Sequence, residues 1–460
     1  MQTKPNSLLE GKVGPALLRF ALPFLAASLL QQLYSTVDMM AVGRLSANPA
    51  ISLTAVSTGG QLTYALTSML IGLATGATVL IGQYVGAERK EDITRTIGTM
   101  FPLFGLFAVI ISVFLAVLTG PLVTLMQVPA EAVEESRQYL FICAIGMIFV
   151  GGYNMVSGIM RGLGDSKTPM LLVAVACVIN IIGDIVLVGP LQMGAAGAAL
   201  ATVGAQAISF VFALILLSRR SDFPFEFRLH NFRLHKEQSR LLLKLGSPIA
   251  FQDFSIGISF LFITAFINRI GLDEAASVGV VGRVSCIAML VPVAFMSAIA
   301  AMTAQNIGAG QPKRAYHSML VGMALSFAIS AILTLVAELF PGPILSLFTT
   351  EAGVIEQGIL YLRSNILDAT LVAFVFCMNG FFSGCGHTGF SMVNNLISTY
   401  GVRVLGTLLV SLIAGTTMFH IGLAAPAASA VQIVMEVIYL TSGRWKNNTV
   451  LQAAARTELR

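Results

Sequence analysis

The sequence predicts an all-α integral membrane protein with twelve transmembrane helices, from its composition, its long apolar runs and the placement of its basic residues. Of 460 residues, 56% are hydrophobic and 11% are charged, whereas about 25% are charged in a typical soluble domain. The mean hydropathy is +0.84. So little polar surface cannot cover a water-soluble core of this size, which excludes a soluble globular enzyme and a nucleic-acid-binding protein.

Twelve apolar runs are long enough to cross a bilayer, which takes about 20 helical residues. None shows the sustained alternation of a barrel strand, so the runs are predicted to be helices. The predicted spans are residues 14–43, 51–82, 94–119, 137–159, 168–189, 194–217, 246–268, 276–304, 315–340, 358–383, 388–414 and 419–442. Function is therefore expected to reside in the helices and the short loops between them.

The basic residues are distributed unevenly over the predicted loops. If the N-terminus is cytoplasmic, most of the 27 Lys and Arg residues fall in cytoplasmic segments. The exceptions are Arg44, Arg137, Arg269 and Arg363 in outer segments, and Arg283 and Arg403 within spans. This positive-inside bias predicts a multi-pass protein of the cell membrane, inner or plasma, with both termini in the cytoplasm.

The two halves of the sequence resemble each other. Residues 82–87 (GQYVGA) recur as 304–309 (AQNIGA), and residues 157–164 (SGIMRGLG) recur at the same offset as 379–386 (NGFFSGCG). Six spans per half give both halves one orientation, as in transporters with parallel repeats and alternating access. The predicted domains are an N-terminal lobe (1–217), a cytoplasmic linker (218–245), a C-terminal lobe (246–442) and a cytoplasmic tail (443–460).

Five acidic side chains lie within predicted spans, and an acidic side chain at the centre of a membrane helix costs about 2.5–3.5 kcal/mol. They are Asp38, Asp184, Asp253, Asp368 and Glu436. Such residues usually mark ion or proton paths, although some only form structural pairs. Asp253, beside Gln252, and Asp368 are predicted either to contact a cationic substrate or to be structural. Glu436, near the end of the last span, is interpreted as structural.

Polar residues in the first span share one helical face with an acid. Asp38 follows Gln31 and Tyr34 at spacings of seven and four residues, which places the three side chains on one side of the helix. Pro23, nearer the start of this span, is predicted to be a hinge because proline removes a backbone hydrogen bond. Proline also occurs in membrane helices for packing reasons, which is the alternative.

A second acid is predicted to complete the site. Asn180 precedes Asp184 by one turn in span five, and Thr202 in span six can add a hydroxyl. Two carboxylates, an amide and a hydroxyl suit a small hard cation, and they suit a shared proton equally well. The alternative is that Asp38 and Asp184 face different cavities and form only local hydrogen bonds.

The motifs together resemble the multidrug and toxic compound extrusion (MATE) family from Pro15 to about Arg444. They are Pro23 followed by VD at 37–38 and VG at 42–43, GQxxGA at 82–87, RGxGD at 161–165 and NxxxD at 180–184. The resemblance implies two pseudo-symmetric six-helix lobes that form a V-shaped cleft. It also implies export of organic, often cationic, amphipathic compounds in exchange for H+ or Na+, with no other cofactor.

The DinF-like branch of that family implies roles for residues of the first lobe. Its acidic and polar cluster corresponds to Tyr34, Asp38, Tyr139, Asn154, Asn180, Asp184 and Thr202. The expected cation-coupling residues, which would bind Na+ in a Na+-coupled exporter, are Asp38, Asn180, Asp184 and Thr202. Gln31, Tyr34, Tyr139 and Asn154 are expected to line the substrate cavity, and Pro23 matches the proline at which the first helix bends. The NorM-like branch uses acids of spans seven and ten, which makes Gln252, Asp253 and Asp368 second-lobe candidates.

The expected partners are amphipathic small molecules and membrane lipids, with no nucleic acid and a monomer as the functional unit. The alternative function is a lipid-linked saccharide flippase of the same superfamily. An intramembrane enzyme is disfavoured because the five histidines lie in or near loops and no HExxH or GxSxG motif occurs. The five cysteines have no CxxC spacing and are interpreted as packed thiols.

Overall fold

The computed structural model describes residues 8–267, 270–413 and 415–447, and these ranges contain helices and no β-strand. Helices α1–α9 are Val13–Leu45, Pro49–Gly86, Lys90–Leu125, Val133–Gly162, Lys167–Val188, Gly194–Ser218, Lys236–Ile267, Leu272–Gly308 and Pro312–Leu339. Helices α10–α16 are Pro341–Ser346, Ala352–Asn365, Leu367–Gly384, Thr388–Leu396, Leu405–Ser411, Met418–Gly422 and Ala424–Thr441, and a π-helical stretch, Ile397–Val404, joins α13 to α14. Most of the predicted cytoplasmic tail lies outside the described residues.

Eleven helical segments of the described chain are long and apolar enough to cross a membrane. The predicted all-helical membrane fold is therefore confirmed. The predicted span 388–414 is missing from that count because α13, the π-helical stretch and α14 replace one continuous helix there. The tenth and twelfth predicted spans consist of two helices each, α11 with α12 and α15 with α16.

The chain forms two compact units. Unit 1 takes in the residues up to Leu25 and those from Phe251 onward, and unit 2 runs from Ala26 to Ala250. These boundaries differ from the predicted lobes in two respects: the first part of α1 belongs with the second half of the chain, and the predicted linker belongs with the first half. Apolar packing at each of these segments gives the physical reason.

The beginning of the described chain packs within unit 1. Leu17 is fully buried in the same apolar core as Phe381 of α12. Arg314, at the start of α9, donates hydrogen bonds to the carbonyl oxygens of Gly11 at 2.7 Å and Glu10 at 2.8 Å. Burial of an apolar helix face and a charged donor on two backbone carbonyls together hold this segment in place.

The predicted inter-lobe linker packs on unit 2. Phe225 and Phe232 lie against Phe101 of α3, with ring centroids 6.0 and 4.9 Å apart. The Thr94 hydroxyl donates to the carbonyl oxygen of Pro224 at 2.7 Å. The aromatic side chains of this otherwise basic segment thus attach it to α3.

Repeated glycines allow the same close helix crossing in each unit. In unit 2, a Cβ on Gly158 of α4 would lie 2.6 Å from the carbonyl oxygen of Ala74 in α2. In unit 1, a Cβ on Gly380 of α12 would lie 2.5 Å from the carbonyl oxygen of Met296 in α8. These residues occupy corresponding positions of the repeat, so both crossings depend on the missing side chain.

Asp165 organises the turn between α4 and α5. Its Oδ1 accepts hydrogen bonds from the backbone N–H groups of Lys167 and Thr168, and its Oδ2 accepts one from the Thr168 hydroxyl at 2.7 Å. Arg220 Nη1, from the linker, pairs with the same Oδ2 at 2.8 Å. Partial burial alone raises the pKa of Asp165, but the hydrogen bonds from Arg220 and Thr168 outweigh it and the pKa is lowered.

We expect Asp165→Asn to lower the free energy of unfolding by about 1–2 kcal/mol at neutral pH, because a charge-assisted hydrogen-bond network is lost. A lowered folded-state pKa means that the carboxylate stabilises the protein above the unfolded-state pKa of aspartate. This contribution is lost as the pH falls through the lower folded-state pKa. The difference in thermal midpoint between wild type and variant in detergent should therefore disappear in acid.

The matched control is Asp222→Asn. Asp222 also contacts Arg220, at 2.8 Å, but is 70% exposed, so its loss should cost about 0–1 kcal/mol. Equal destabilisation by the two variants would contradict the structural role assigned to Asp165.

Candidate functional site

The predicted polar residues of the first half converge inside unit 2. Helix α1 contributes Tyr34 and Asp38, α5 contributes Asn180 and Asp184, and α6 contributes Thr202. Asn180 and Asp184 are 1% and 0% exposed, and the other three are half-buried. The four-residue spacing in α1 and α5 puts each pair of side chains on one helix face, as the sequence predicts.

The carboxyl groups of Asp38 and Asp184 interact directly with each other. Asp38 Oδ1 and both oxygens of Asp184 are buried and accept no hydrogen bond. In the part of the chain that the structure describes, neither carboxyl group forms a salt bridge. Since buried polar atoms are normally paired, these oxygens are suited to hold a proton or a small cation.

The side-chain amide of Asn180, next to the acid pair, has an oxygen that forms no hydrogen bond. Asn180 Nδ2 donates to the Thr202 hydroxyl at 3.3 Å, which orients the amide. Asn180 Oδ1 is buried and has no hydrogen-bond partner. The site therefore offers carboxylate and amide oxygens without a nearby compensating N–H group.

Two tyrosine rings lie beside the acids. Tyr34 and Tyr139 each interact electrostatically with Asp38, and Tyr139 also interacts with Tyr34. The Tyr139 ring packs against Gly59 of α2, where a Cβ would lie 2.9 Å from Tyr139 Cε1. The absence of a side chain at Gly59 therefore determines how close the ring lies to α2.

Three other predicted residues are not joined to the acid pair by any described contact. Gln31 is exposed, and Asn154 donates to the Val150 carbonyl of its own helix at 2.8 Å. Pro23 lies inside a continuous α1, so bending at this residue stays a prediction.

Among the described residues, Gln252 and Asp253 of α7 form no contact with the third second-half candidate, Asp368 of α12. Asp368 is 5% exposed, accepts a hydrogen bond from Ser429 and is attracted by Arg403. Gln252 is buried and Asp253 is half-buried. Over the described residues no hydrogen bond links either of them to Asp368, so no second pair of contacting carboxyl groups forms in this unit.

Sequence reasoning overlooked two cysteines of the site. Cys143 interacts with Tyr139 and Asp38, and Cys177 interacts with Tyr34. Each cysteine lies about one helical turn from a predicted site residue in its own helix, and this spacing could have indicated that it belongs to the site. Interpreting all cysteines as packed thiols therefore left these two out of the predicted site.

A many-helix membrane fold with an uncompensated acid pair buried in one bundle is typical of ion-coupled membrane transporters. The MatE family model matches residues 23–186 and 248–409, and the matched segments begin at the repeated prolines, Pro23 and Pro248. The match covers well over half of the chain, so the chain belongs to the MATE family of transporters. This membership confirms the predicted family. It also confirms the prediction that the protein is a transporter and not an enzyme.

Individual relatives align with this chain over nearly its full length. The chain is 29% identical over 452 residues to the probable multidrug resistance protein YoeA of Bacillus subtilis, which covers 95% of this chain and 96% of that protein. Crystal structures of MATE in the straight and bent conformations match with TM-scores of 0.88 and 0.87 at 21% identity. These matches cover 100% and 99% of this chain and 100% of each structure, and they show the shared fold.

We expect Gly59→Ala to reduce transport of a fluorescent cationic dye from cells, because the new methyl group displaces the Tyr139 ring. Overpacking of this kind costs about 1–3 kcal/mol. Gly60→Ala is the matched control, since its Cβ would meet only the Tyr139 hydroxyl at 3.9 Å. Equal transport by the two variants, at equal amounts in the membrane, would argue against this placement of Tyr139.

Proposed function

We propose that the protein exports amphipathic, often cationic, small molecules and is driven by cation entry at the Asp38–Asp184 pair. The observation that carries the proposal is the interaction between the carboxyl groups of Asp38 and Asp184, of which Asp38 Oδ1 and both Asp184 oxygens are buried without a hydrogen-bond donor. Membership of a transporter family supports the export step. The B. subtilis relative is named a probable multidrug resistance protein, which supports small molecules as the cargo.

The proposed coupling ion is H+. Two ionised carboxylates in contact repel each other, and one bound proton removes a charge and forms a hydrogen bond between them. The pair then takes up and releases protons as one unit. Na+ is the second candidate, because Asn180 Oδ1 is also buried without a partner and oxygen ligands suit a hard cation. Thr202 would complete that ligand set.

An ion gradient drives transport only if the ion binds the two conformations differently. In the proposed cycle, the acid pair takes up the cation from outside while the bound compound leaves. It releases the cation to the cytoplasm when the next compound binds. MATE structures solved in straight and bent conformations support a two-state cycle.

The proposed hinge is Pro23 in α1. The helix begins in unit 1 and continues into unit 2, with the boundary after Leu25, two residues beyond the proline. Proline removes one backbone hydrogen bond from the helix and favours bending there. Both termini are proposed to lie in the cytoplasm, with a monomer in the cell membrane, and the bias of basic residues supports this orientation.

We expect Asp38→Asn and Asp184→Asn each to abolish gradient-driven dye efflux while membrane expression stays normal, because an amide at either position cannot carry the coupling charge. The measurement is dye flux in proteoliposomes under an imposed pH gradient or an imposed Na+ gradient. The gradient that drives wild-type efflux identifies the ion.

The control for this pair is Asp222→Asn, the same change at a position that is 70% exposed, and it should transport normally. Full gradient-driven efflux by Asp38→Asn would refute the proposed role of the acid pair.

A further inference from the structure

A further carboxyl group is buried in unit 1. Glu436, in α16, is 1% exposed, and its Oε2 has no hydrogen-bond partner. The proposed mechanism does not use it. The sequence favours a structural interpretation, but an unpaired buried carboxyl oxygen requires a physical explanation.

Two amides lie next to Glu436, each with one unpaired atom. Asn394 of α13 and Gln432 of α16 interact with the Glu436 carboxyl group and are 0% and 5% exposed. Asn394 Nδ2 donates to the Gln432 carbonyl oxygen at 3.3 Å. Asn394 Oδ1 and Gln432 Nε2 remain unpaired. The cluster of the two amides and the carboxyl group therefore contains one free amide acceptor and one free amide donor.

These free atoms match the neutral form of the acid. A carboxylic acid has one O–H donor and one carbonyl acceptor, whereas a carboxylate only accepts. The O–H of a protonated Glu436 can donate to Asn394 Oδ1, and its carbonyl oxygen can accept from Gln432 Nε2. A carboxylate would leave Asn394 Oδ1 without any donor.

Among the described residues, no salt bridge to Glu436 forms, and the thiol of Cys377 in α12 interacts with its carboxyl group. Arg403, from the π-helical stretch, acts on Asp368 and Tyr361 instead. An ionised carboxylate buried without a partner costs several kcal/mol, so this surrounding also favours the neutral acid.

A pair of hydrogen-bonded polar side chains, here called the polar relay, lies about one helical turn from Glu436. It lies toward the loop between α12 and α13, which is predicted to be cytoplasmic. The hydroxyl of Tyr439 and Nδ1 of His387 are hydrogen-bonded at 2.8 Å. The Tyr439 ring stacks on Phe390 with centroids 3.7 Å apart. Because Phe390 precedes Asn394 by one turn and Tyr439 follows Glu436 by about one turn, the stacked rings lie about one helical turn from the carboxyl group.

We propose that Glu436, Asn394 and Gln432 form a proton-binding site in unit 1, which holds a proton in this conformation and exchanges it past the Phe390–Tyr439 stack. The inference rests on the proposed exporter function and adds a second coupled proton to it. Glu436 binds and releases the proton, while Asn394 and Gln432 position the neutral acid.

Glu436→Gln tests the exchange. The glutamine keeps one donor and one acceptor in place, so the thermal midpoint should not change, but it cannot release a proton. Each coupled proton contributes a factor of about ten to the substrate gradient for a pH difference of about one unit. In proteoliposomes we therefore expect the final dye gradient to fall about tenfold. Glu356→Gln, the same change at an exposed residue of α11, should leave the gradient unchanged.

An infrared difference spectrum of wild type minus Glu436→Gln tests protonation directly. We expect a carbonyl band of a neutral carboxylic acid, and its absence would overturn the proposal. In Asn394→Ala, which lacks the neighbouring amide, the pH at which this band disappears should shift, and this second variant tests the proposal even if Glu436→Gln folds poorly. A band whose pH range does not move in Asn394→Ala would overturn the role of the amide.

The two proposals fail in different ways. A dye gradient that is unchanged in Glu436→Gln but abolished in Asp38→Asn would overturn proton exchange at Glu436 and leave the acid-pair function standing. Full efflux by Asp38→Asn would refute the acid-pair function, while the infrared band of Glu436 would still report whether this carboxyl group binds a proton.

Discussion

The contact between two carboxyl groups of one helical bundle is the interaction around which unit 2 is organised. Asp38 and Asp184 come from helices far apart in sequence, and neither has a basic partner among the described residues. In an apolar bundle this arrangement is unfavourable unless a proton or cation is bound. The surrounding Asn180 and Tyr139 provide polarity without charge, so they leave the charge of the acid pair uncompensated.

Much of this organisation follows from the sequence, because lipid restricts the fold to helices that satisfy their own backbone. Run lengths and basic residues therefore predict spans, and four-residue spacing predicts that Asn180 and Asp184 share a face. Spacing cannot predict contacts between helices, which explains the different result for Gln31: it shares the face of Asp38 but is exposed. The sequence also could not predict that Leu17 packs within unit 1, because an apolar helix face does not specify the helix against which it packs.

The repeat preserves backbone packing more closely than polar chemistry. Gly158 and Gly380 occupy corresponding helix crossings, and each allows a carbonyl oxygen to approach to within 2.6 Å of where a Cβ would be. Such crossings tolerate little change because any side chain collides with backbone. The acids are free of this constraint, so the contacting pair exists only in unit 2 among the residues that the structure describes.

Unit 1 buries its own acids in two chemically different ways, and the difference bears on which of them can exchange protons. Asp368 accepts a hydrogen bond from Ser429 and is attracted by Arg403, so a hydroxyl donor and a distant cation partly compensate its charge. Glu436 has two amides and a thiol around it and forms no salt bridge among the described residues. Losing its proton therefore requires a change in its surroundings. A group whose charge state depends on conformation can couple an ion gradient to transport, and the acid with fewer compensating partners depends more strongly on its surroundings.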